Sequence, residues 1–529
     1  MNRLFSPFPV ITIKTLFPPV PVITMKRPLA ALCLLLGFLV SQTSADQPAS
    51  KIIDRFKKAS GGKAATRLKS TFMTGSVRAA DGGTGRFSYQ ISAPNNLRVD
   101  LEIAGSKVSE CYNGKSAWRL DSRGLRTLLG DEAKRLRLEA LLSNSRLNDL
   151  QRNRIVPQSI GKAIVDGKQA SGVELARDGV KVKLFFDAST NLLIKRERDV
   201  AEGIEETFYG DYRNVDGVME PFSLRIKKGN DESVVSIDHL EHNRPLELSA
   251  FRYPQVEGSR PLPELEPLLK ALNENQDKID EMRERYTCRL VEIERKHDGD
   301  GRIKESETKT YEVTPIGSEF VERLTSVNGR ELSSSEREKE DKRVQKEVEE
   351  ILKKREKKEQ QEERARARGE KKKDDDDDIE IKDFLRISEI TSIRREMFRG
   401  HEVIAFDFEP RKGFKPKSRA EDIVSKLAGT IWVDEGAQQI ARLEARFTDS
   451  YKIGGGMLAS IGASTAFSFE QEKIGDEVWL PSSMEANLSA RVLLLAKFNR
   501  SIERRYSDYK KYQIDSKYDL TKPKENAKP

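Results

Sequence analysis

Two long tracts of this chain alternate apolar and polar residues with a period of two, and no other feature limits its possible folds as sharply. In Arg86-Phe87-Ser88-Tyr89-Gln90-Ile91 the apolar side chains take odd positions, and after Pro94-Asn95 the same parity returns at Leu97, Val99, Leu101 and Ile103. Successive side chains of a strand point to opposite faces, so this spacing predicts strands with one dry and one wet face. Gly105-Ser106 and Asn113-Gly114 fall where hairpin turns are needed, the second with type I′ chemistry, which favours antiparallel pairing.

A helix is predicted over residues 51–59, closed by Gly61-Gly62, and one or two amphipathic helices over 131–150, where Leu136, Leu138, Leu141, Leu142, Leu147 and Leu150 recur at helical spacing. Strands follow at 172–175, 180–186, 192–198, 204–212, 218–226 and 234–240. A proline-rich linker at 259–267 precedes a helix over 268–285, and strands at 286–295, 303–313 and 320–327 lead to a helical segment and then to strands from residue 379 onward. Helix, strands, helix, strands thus occurs twice. The fold class expected is mainly β with α (α+β): two tandem curved antiparallel half-barrels at 46–255 and 285–515, each lidded by helices. A linker and helix at 256–284 separates them, and a disordered tail at 516–529 ends the chain.

The second tract carries an insertion, residues 336–378, with 16 Lys/Arg and 17 Asp/Glu. Such a run rarely carries chemistry. Near its start, Val344, Val348, Ile351 and Leu352 form a single apolar stripe for docking, whereas 353–373 has none and should project as a solvated helix held by Glu/Lys pairs. Asp374 to Asp378 reads as a disordered acidic linker, since contiguous carboxylates lack the alternation and fixed turn of a calcium loop.

At the N-terminus, Met25-Lys26-Arg27 precedes an apolar stretch at 29–40 and the small residues Thr43-Ser44-Ala45. That is the order of a cleaved secretory signal, over residues 1–45, and the apolar run is too short to span a bilayer. Pro18, Pro19 and Pro21 interrupt what lies before Met25, which suits a start there. Leu32 stands before Cys33 where a lipoprotein signal has a small residue. Cleavage after Ala45 removes Arg3, Lys14, Lys26 and Arg27 and no acid, so formal net charge falls from +8 to +4. With both signs interspersed along the remainder, no patch of the kind that binds phosphate backbones is expected, and nucleic acid is excluded as a partner. Cys111 and Cys288 fall in different halves and read as separate thiols rather than a disulfide framework.

Catalytic and metal chemistry find few candidates. His239 and His242 are three apart at a strand end and read as solvated; a zinc site would need a third ligand. Asp298-Gly299-Asp300-Gly301 lacks a distal Glu and reads as a hairpin turn. Gly454-Gly455-Gly456 lacks the Gly-Lys-Ser/Thr of a phosphate loop and reads as a tight loop into a buried strand. Neither a nucleophile elbow nor a His-Glu-x-x-His helix is present. No catalytic residue, metal or cofactor is therefore expected. A coiled antiparallel sheet with an apolar concave face and few helices to fill it makes a cavity, although the same side chains could instead form a closed core.

Several motifs bear a family resemblance. Gly61-Gly62 before the opening strand, Leu184-Phe185-Phe186-Asp187 followed by Leu192-Leu193-Ile194-Lys195-Arg196, and Tyr209-Gly210-Asp211-Tyr212-Arg213-Asn214-Val215-Asp216-Gly217-Val218-Met219-Glu220-Pro221-Phe222 resemble the LolA/LolB-like outer-membrane lipoprotein-sorting domains. Gly429-Thr430-Ile431-Trp432-Val433-Asp434 with Ile440-Ala441-Arg442-Leu443-Glu444 is similar to a strand pair of that family. The resemblance implies a periplasmic carrier whose cavity holds the acyl chains of a lipid or lipoprotein, with transient membrane contact. It places on the ligand side Phe87, Tyr89, Leu97, Val99, Leu101, Trp118 and Leu120 from strands and Leu138, Leu141 and Leu142 from the lid. The alternative is a non-transporting envelope module, a lipid sensor or scaffold, that meets an envelope protein through the charged helix at 336–378.

Overall fold

The computed structural model describes residues 48–200, 203–256, 260–298, 303–316, 319–367, 381–453, 459–463, 465–492 and 496–511. The signal reading at 1–45, the glycines of the 298–301 loop, the Gly454-Gly455-Gly456 run, the five aspartates at 374–378 and the tail at 516–529 lie outside the described residues. Contacts divide the chain into two compact units, one ending at Gly258 and the other beginning at Ser259.

The N-terminal unit opens with helix α1 (Ala49–Ala59). A meander of β1 (Ser70–Arg78), β2 (Thr84–Ser92), β3 (Asn96–Ile103), β4 (Ser106–Asn113), β5 (Ala117–Asp121) and β6 (Gly124–Thr127) follows, then helix α2 (Gly130–Ser145). The chain returns through β7 (Val156–Val165), β8 (Lys168–Arg177), β9 (Val180–Asp187), β10 (Leu193–Val200), β11 (Gly203–Val215), β12 (Val218–Lys228) and β13 (Asp231–His242). These form one antiparallel sheet of 13 strands in the order β6-β5-β4-β3-β2-β1-β13-β12-β11-β10-β9-β8-β7, so the first strand pairs with the last.

This sheet cannot be flat. Within about one turn of α2, Ala140 packs among Leu97 of β3 and Tyr112 of β4 while Leu138 and Leu141 pack on Val182 and Leu184 of β9. Neighbouring strands lie about 4.8 Å apart, so the seven steps from β3 to β9 would span roughly 33 Å on a flat sheet, against a helix diameter of about 10–12 Å. The sheet therefore curls around α2.

Local chemistry explains the family-like motifs. Asp187 Oδ1 accepts from the N–H groups of Ser189 and Thr190 and stops β9. Asp216 and Gly217, at φ 52° and 84°, form the two-residue turn between Val215 and Val218, and Asn214 Oδ1 accepts from Gly217 N. The expected turns are corrected in detail. The β3–β4 turn is Ala104-Gly105, both left-handed, since Ile103 pairs with Ser106. The Asn113-Gly114 turn is not a two-residue type I′ hairpin: Tyr112 pairs with Ala117, so four residues bridge the strands, and the Asn113 side chain accepts from Lys115 N and Ser116 N.

The C-terminal unit contains helix α3 (Leu265–Arg283), then β14 (Tyr286–His297), β15 (Ile303–Ile316), β16 (Glu319–Val327) and β17 (Arg330–Glu331). Helices α4 (Ser334–Ala367) and α5 (Ile381–Ile387) lead to β18 (Ser388–Phe398) and β19 (His401–Pro410), with α6 (Arg419–Val424) before β20 (Leu427–Asp434) and β21 (Gln439–Phe447). The chain closes with β22 (Tyr451–Ile453), β23 (Ala459–Ile461), β24 (Ala466–Ile474), β25 (Val478–Val492) and β26 (Ala496–Lys511). Here too the first strand, β14, pairs antiparallel with the last, β26.

Within this unit α3, α5 and α6 cover β19–β21, burying Leu268, Leu269, Phe384, Ile423 and Val424 against Phe406, Ile431 and Leu443. Of the stripe expected on the charged insertion, Val344, Val348 and Ile351 dock on Val321 and Ile316. Leu352 does not: it is 45% exposed, because it stands one position past the docked face.

Candidate ligand-binding face

In an antiparallel sheet, residues directly opposite one another share a face. Register therefore traces one face across the N-terminal unit. Phe87 lies opposite Leu101, Tyr89 opposite Val99 and Ile91 opposite Leu97. The row continues to Val108, Glu110 and Tyr112 on β4 and to Ala117 and Arg119 on β5. On the other side it meets Gly75, Met73 and Thr71 of β1. A methyl group at Gly75 would come within 2.7 Å of the Phe87 ring and 2.0 Å of the Ser236 carbonyl, so only glycine lets that ring lie against β1.

The apolar row is graded. Ile91 and Leu97 are fully buried beneath α2 with Leu128 and Ala140, and Tyr89 and Val99 pack partly against them. Phe87, Val99 and Leu101 are half-buried. Much of what fixes α2 over this row is polar: Tyr89 Oη donates to Ser143 Oγ at 2.8 Å, and Asn144 Nδ2 donates to the Asn96 carbonyl at 3.0 Å. Burial, with the Glu139 charge adding to it, raises the Tyr89 hydroxyl far above its ordinary range, so it remains a donor.

Trp118 and Leu120 do not belong here. They pair with Cys111 and Ser109, whose side chains leave the sheet on the opposite side from Tyr112 and Glu110. There Trp118 is 0% exposed, and its Nε1 donates to the Phe251 carbonyl at 3.2 Å. Cys111, a free thiol, makes the same contact, and Leu120, Leu246 and Tyr253 complete a second dry layer. The sequence expectation took apolar side chains as a mark of the concave face. At the Ala117–Trp118 end of β5 both faces are buried, because residues 246–256 cover the other one. Even-length turns carry the inward parity from odd in β3 to even in β4 and odd in β5, a signal already present in the sequence.

Leu138, Leu141 and Leu142 are also set apart from the Phe87 row. They project toward α1 and toward β8 and β9, among Ile52, Ile53, Val173 and Phe186. The side of α2 that meets β2–β5 is instead Ala133, Leu136 and Ala140. The ten expected ligand residues thus occupy three places, and the structure brings together Phe87, Tyr89, Leu97, Val99 and Leu101.

Between the two apolar regions the same face carries a band of charge that sequence reasoning missed. Arg196 on β10 is held by both Glu139 oxygens, at 2.6 and 2.7 Å. Arg198 binds Glu205 of β11 at 2.7 Å, and Arg146 at the end of α2 binds Glu220 of β12 at 2.5 Å. Burial would push Glu205 up, but the Arg198 charge and hydrogen bond, with Arg196 and Lys228 beside it, hold it below its ordinary range. His242, expected to be solvated, has a fully buried side chain: Nδ1 is 3.1 Å from Thr71 Oγ1, and Nε2 is 3.3 Å from Glu220 Oε1 without hydrogen-bond geometry. Glu220 and His242 are an acid–histidine pair, yet Arg146 claims the same Glu220 oxygen and both residues are buried, which suits a structural clasp. Their signal in the sequence was charge at inward parity, Arg196 and Arg198 opposite Thr207 and Glu205. Among the described residues no group of three His, Cys, Asp or Glu side chains is placed to hold a metal ion, and no helix is long and apolar enough to cross a membrane.

No protein-family model and no curated protein matches this chain. Solved structures do. An outer membrane lipoprotein-sorting domain from Vibrio parahaemolyticus matches at 10% identity and TM-score 0.28, covering 38% of this chain and 97% of that one. A LolA superfamily protein from Nitrosomonas europaea matches at 17% identity and TM-score 0.27, over 39% and 98%. The Pseudomonas aeruginosa MucA/MucB complex matches at 9% identity and TM-score 0.17, over 87% and 94%. The matched structures thus include the family whose motifs the sequence resembles. Superpositions this loose carry no argument of their own, and the functional reading rests on the chain's geometry.

Proposed function

We propose that the protein is an exported, LolA-like binding protein or carrier in which two tandem units share one design, and that the N-terminal unit holds the acyl chains of a lipid or lipoprotein. One observation carries this reading: the in-register apolar row of β2 and β3 runs from the buried pair Ile91 and Leu97 to the half-buried pair Phe87 and Leu101. An acyl chain laid along that row would extend an existing apolar core, at about 0.8 kcal/mol per buried methylene. In the C-terminal unit α3, α5 and α6 cover β19–β21, and the proposal is confined to the N-terminal unit.

Native mass spectrometry of protein recovered from its own envelope tests the proposal. Bound lipid on the wild type that falls in a Leu101→Gln variant is the expected result; a lipid-free wild type overturns it. A second reading, a scaffold that meets an envelope partner, is favoured by α4, whose residues beyond Ile351 lack an apolar docking stripe. Loss of a defined partner on deleting 353–367, with no lipid bound to the wild type, would decide for it.

A further inference from the structure

Residues 51–69 hold seven Lys/Arg and one acid, Asp54, a concentration concealed by the near balance of charge over the chain as a whole. Four of them stand on helix α1 and three in the turn and short connection that follow it. Lys51, Arg55 and Lys58 stand at i, i+4 and i+7, one stripe of the helix. All three are exposed, as are Lys63, Arg67 and Lys69 beyond the turn. Asp54, the one acid of the segment, lies 3.6 Å from Lys57. The segment keeps a formal excess of six positive charges.

The opposite side of α1 is used up. Ile52 and Ile53 are buried, and the Phe56 ring centroid lies 5.1 Å from that of Phe186. The helix therefore has no apolar face to insert into a bilayer. What it offers is charge, fixed in place by a packed core.

We propose that this basic face docks the N-terminal unit electrostatically on an anionic lipid surface. Five of the seven charges are lysine, a hydrated point charge suited to a diffuse field rather than to bidentate recognition. The segment exposes no aromatic or large apolar side chain, which a specific protein interface needs as an anchor and single-stranded nucleic acid needs as a stacking platform. Binding of this kind is reversible and weakened by salt. A protein that exchanges an amphiphile with a membrane gains from such contact, but the basic surface alone is reason enough for the docking.

The test uses the full chain as recovered from its producing cells, with co-sedimentation on phosphatidylglycerol-rich and on pure phosphatidylcholine vesicles. The difference between the two isolates the electrostatic contribution. Each charge facing an anionic bilayer strengthens binding roughly fivefold, so Lys51→Gln/Lys58→Gln/Lys63→Gln should lose about a hundredfold at low salt with an unchanged circular dichroism spectrum. A control of equal charge, Lys107→Gln/Lys270→Gln/Lys346→Gln, should bind as the wild type does. The proposal is overturned by a wild type that shows no preference for phosphatidylglycerol, by a patch variant that keeps it, or by a control that loses as much. None of these outcomes bears on whether lipid co-purifies with the protein.

Discussion

Glu139→Gln isolates the charge that the N-terminal unit has placed between its two apolar regions. Arg196 is bound by Glu139 at 2.6 and 2.7 Å; its remaining contacts are Thr207 Oγ1 at 3.4 Å and a Glu205 oxygen at 4.0 Å, and Arg198 holds that oxygen at 2.7 Å. Side-chain exposure is 16% for Arg196 and 23% for Glu139, so water cannot easily replace the lost partner. Removing one member of a buried pair costs about 3–5 kcal/mol, because the other charge stays buried and uncompensated. Glu205 remains within reach, so the low end applies, about 3 kcal/mol. For a unit of this size that is roughly 6–12 °C in Tm. Removing both charges, Glu139→Leu/Arg196→Met, should return stability to within about 1 kcal/mol of the wild type. Differential scanning calorimetry of the full chain reads both variants. A single variant melting with the wild type, or a double variant as unstable as the single, would refute the reasoning.

Trp118→Ala should cost about 3–5 kcal/mol in urea unfolding while leaving lipid occupancy per folded chain unchanged, whereas half-buried Phe87→Ala should cost less and lower occupancy; equal loss of lipid in both would show that face assignment does not matter. His242 gives a pH signature. Burial lowers its folded pKa below the ordinary value, with the Glu220 charge opposing and Arg146 assisting, and Asp216 opposing more weakly. The unfolded chain then binds the proton more readily, so this contribution is complete above about pH 6.5 and is lost as pH falls below it, by at most about 1.4 kcal/mol per pH unit. His242→Asn, which keeps a polar group toward Thr71, should flatten the urea midpoint between pH 7.5 and 5.5; an unchanged slope would place the titration elsewhere.

Strand identity was legible from residues 86–103, 180–198 and 218–240, because alternation is a property of each strand alone. The stripe of Val344, Val348 and Ile351 was legible for the same reason, with helical spacing in place of alternation. β1 and β7 escaped. In β1 the alternation is broken at Gly75, where a ring rather than a side chain of its own fills the space. β7 is an edge strand that leaves Val156 and Ile164 exposed, so its apolar residues do not mark a buried face. Of the expected ligand residues, those from Phe87 to Leu101 share a face because two adjacent strands carry them in one parity.

By itself the sequence determined many of the strands and helices and which residues within each share a side, since φ/ψ preference and side-chain period are local; it did not show β1 and β7, nor the short helices α5 and α6 in the stretch from residue 379 that was expected to be strands. Turn parity sets Trp118 on the side opposite Tyr89, but only the tertiary structure decided which of those sides faces α2. That choice depends on what distant chain covers the other side, as residues 246–256 cover Trp118. It also placed Glu139 of a helix against Arg196 of a strand, a pairing fixed by how the sheet curls and by no spacing along the chain.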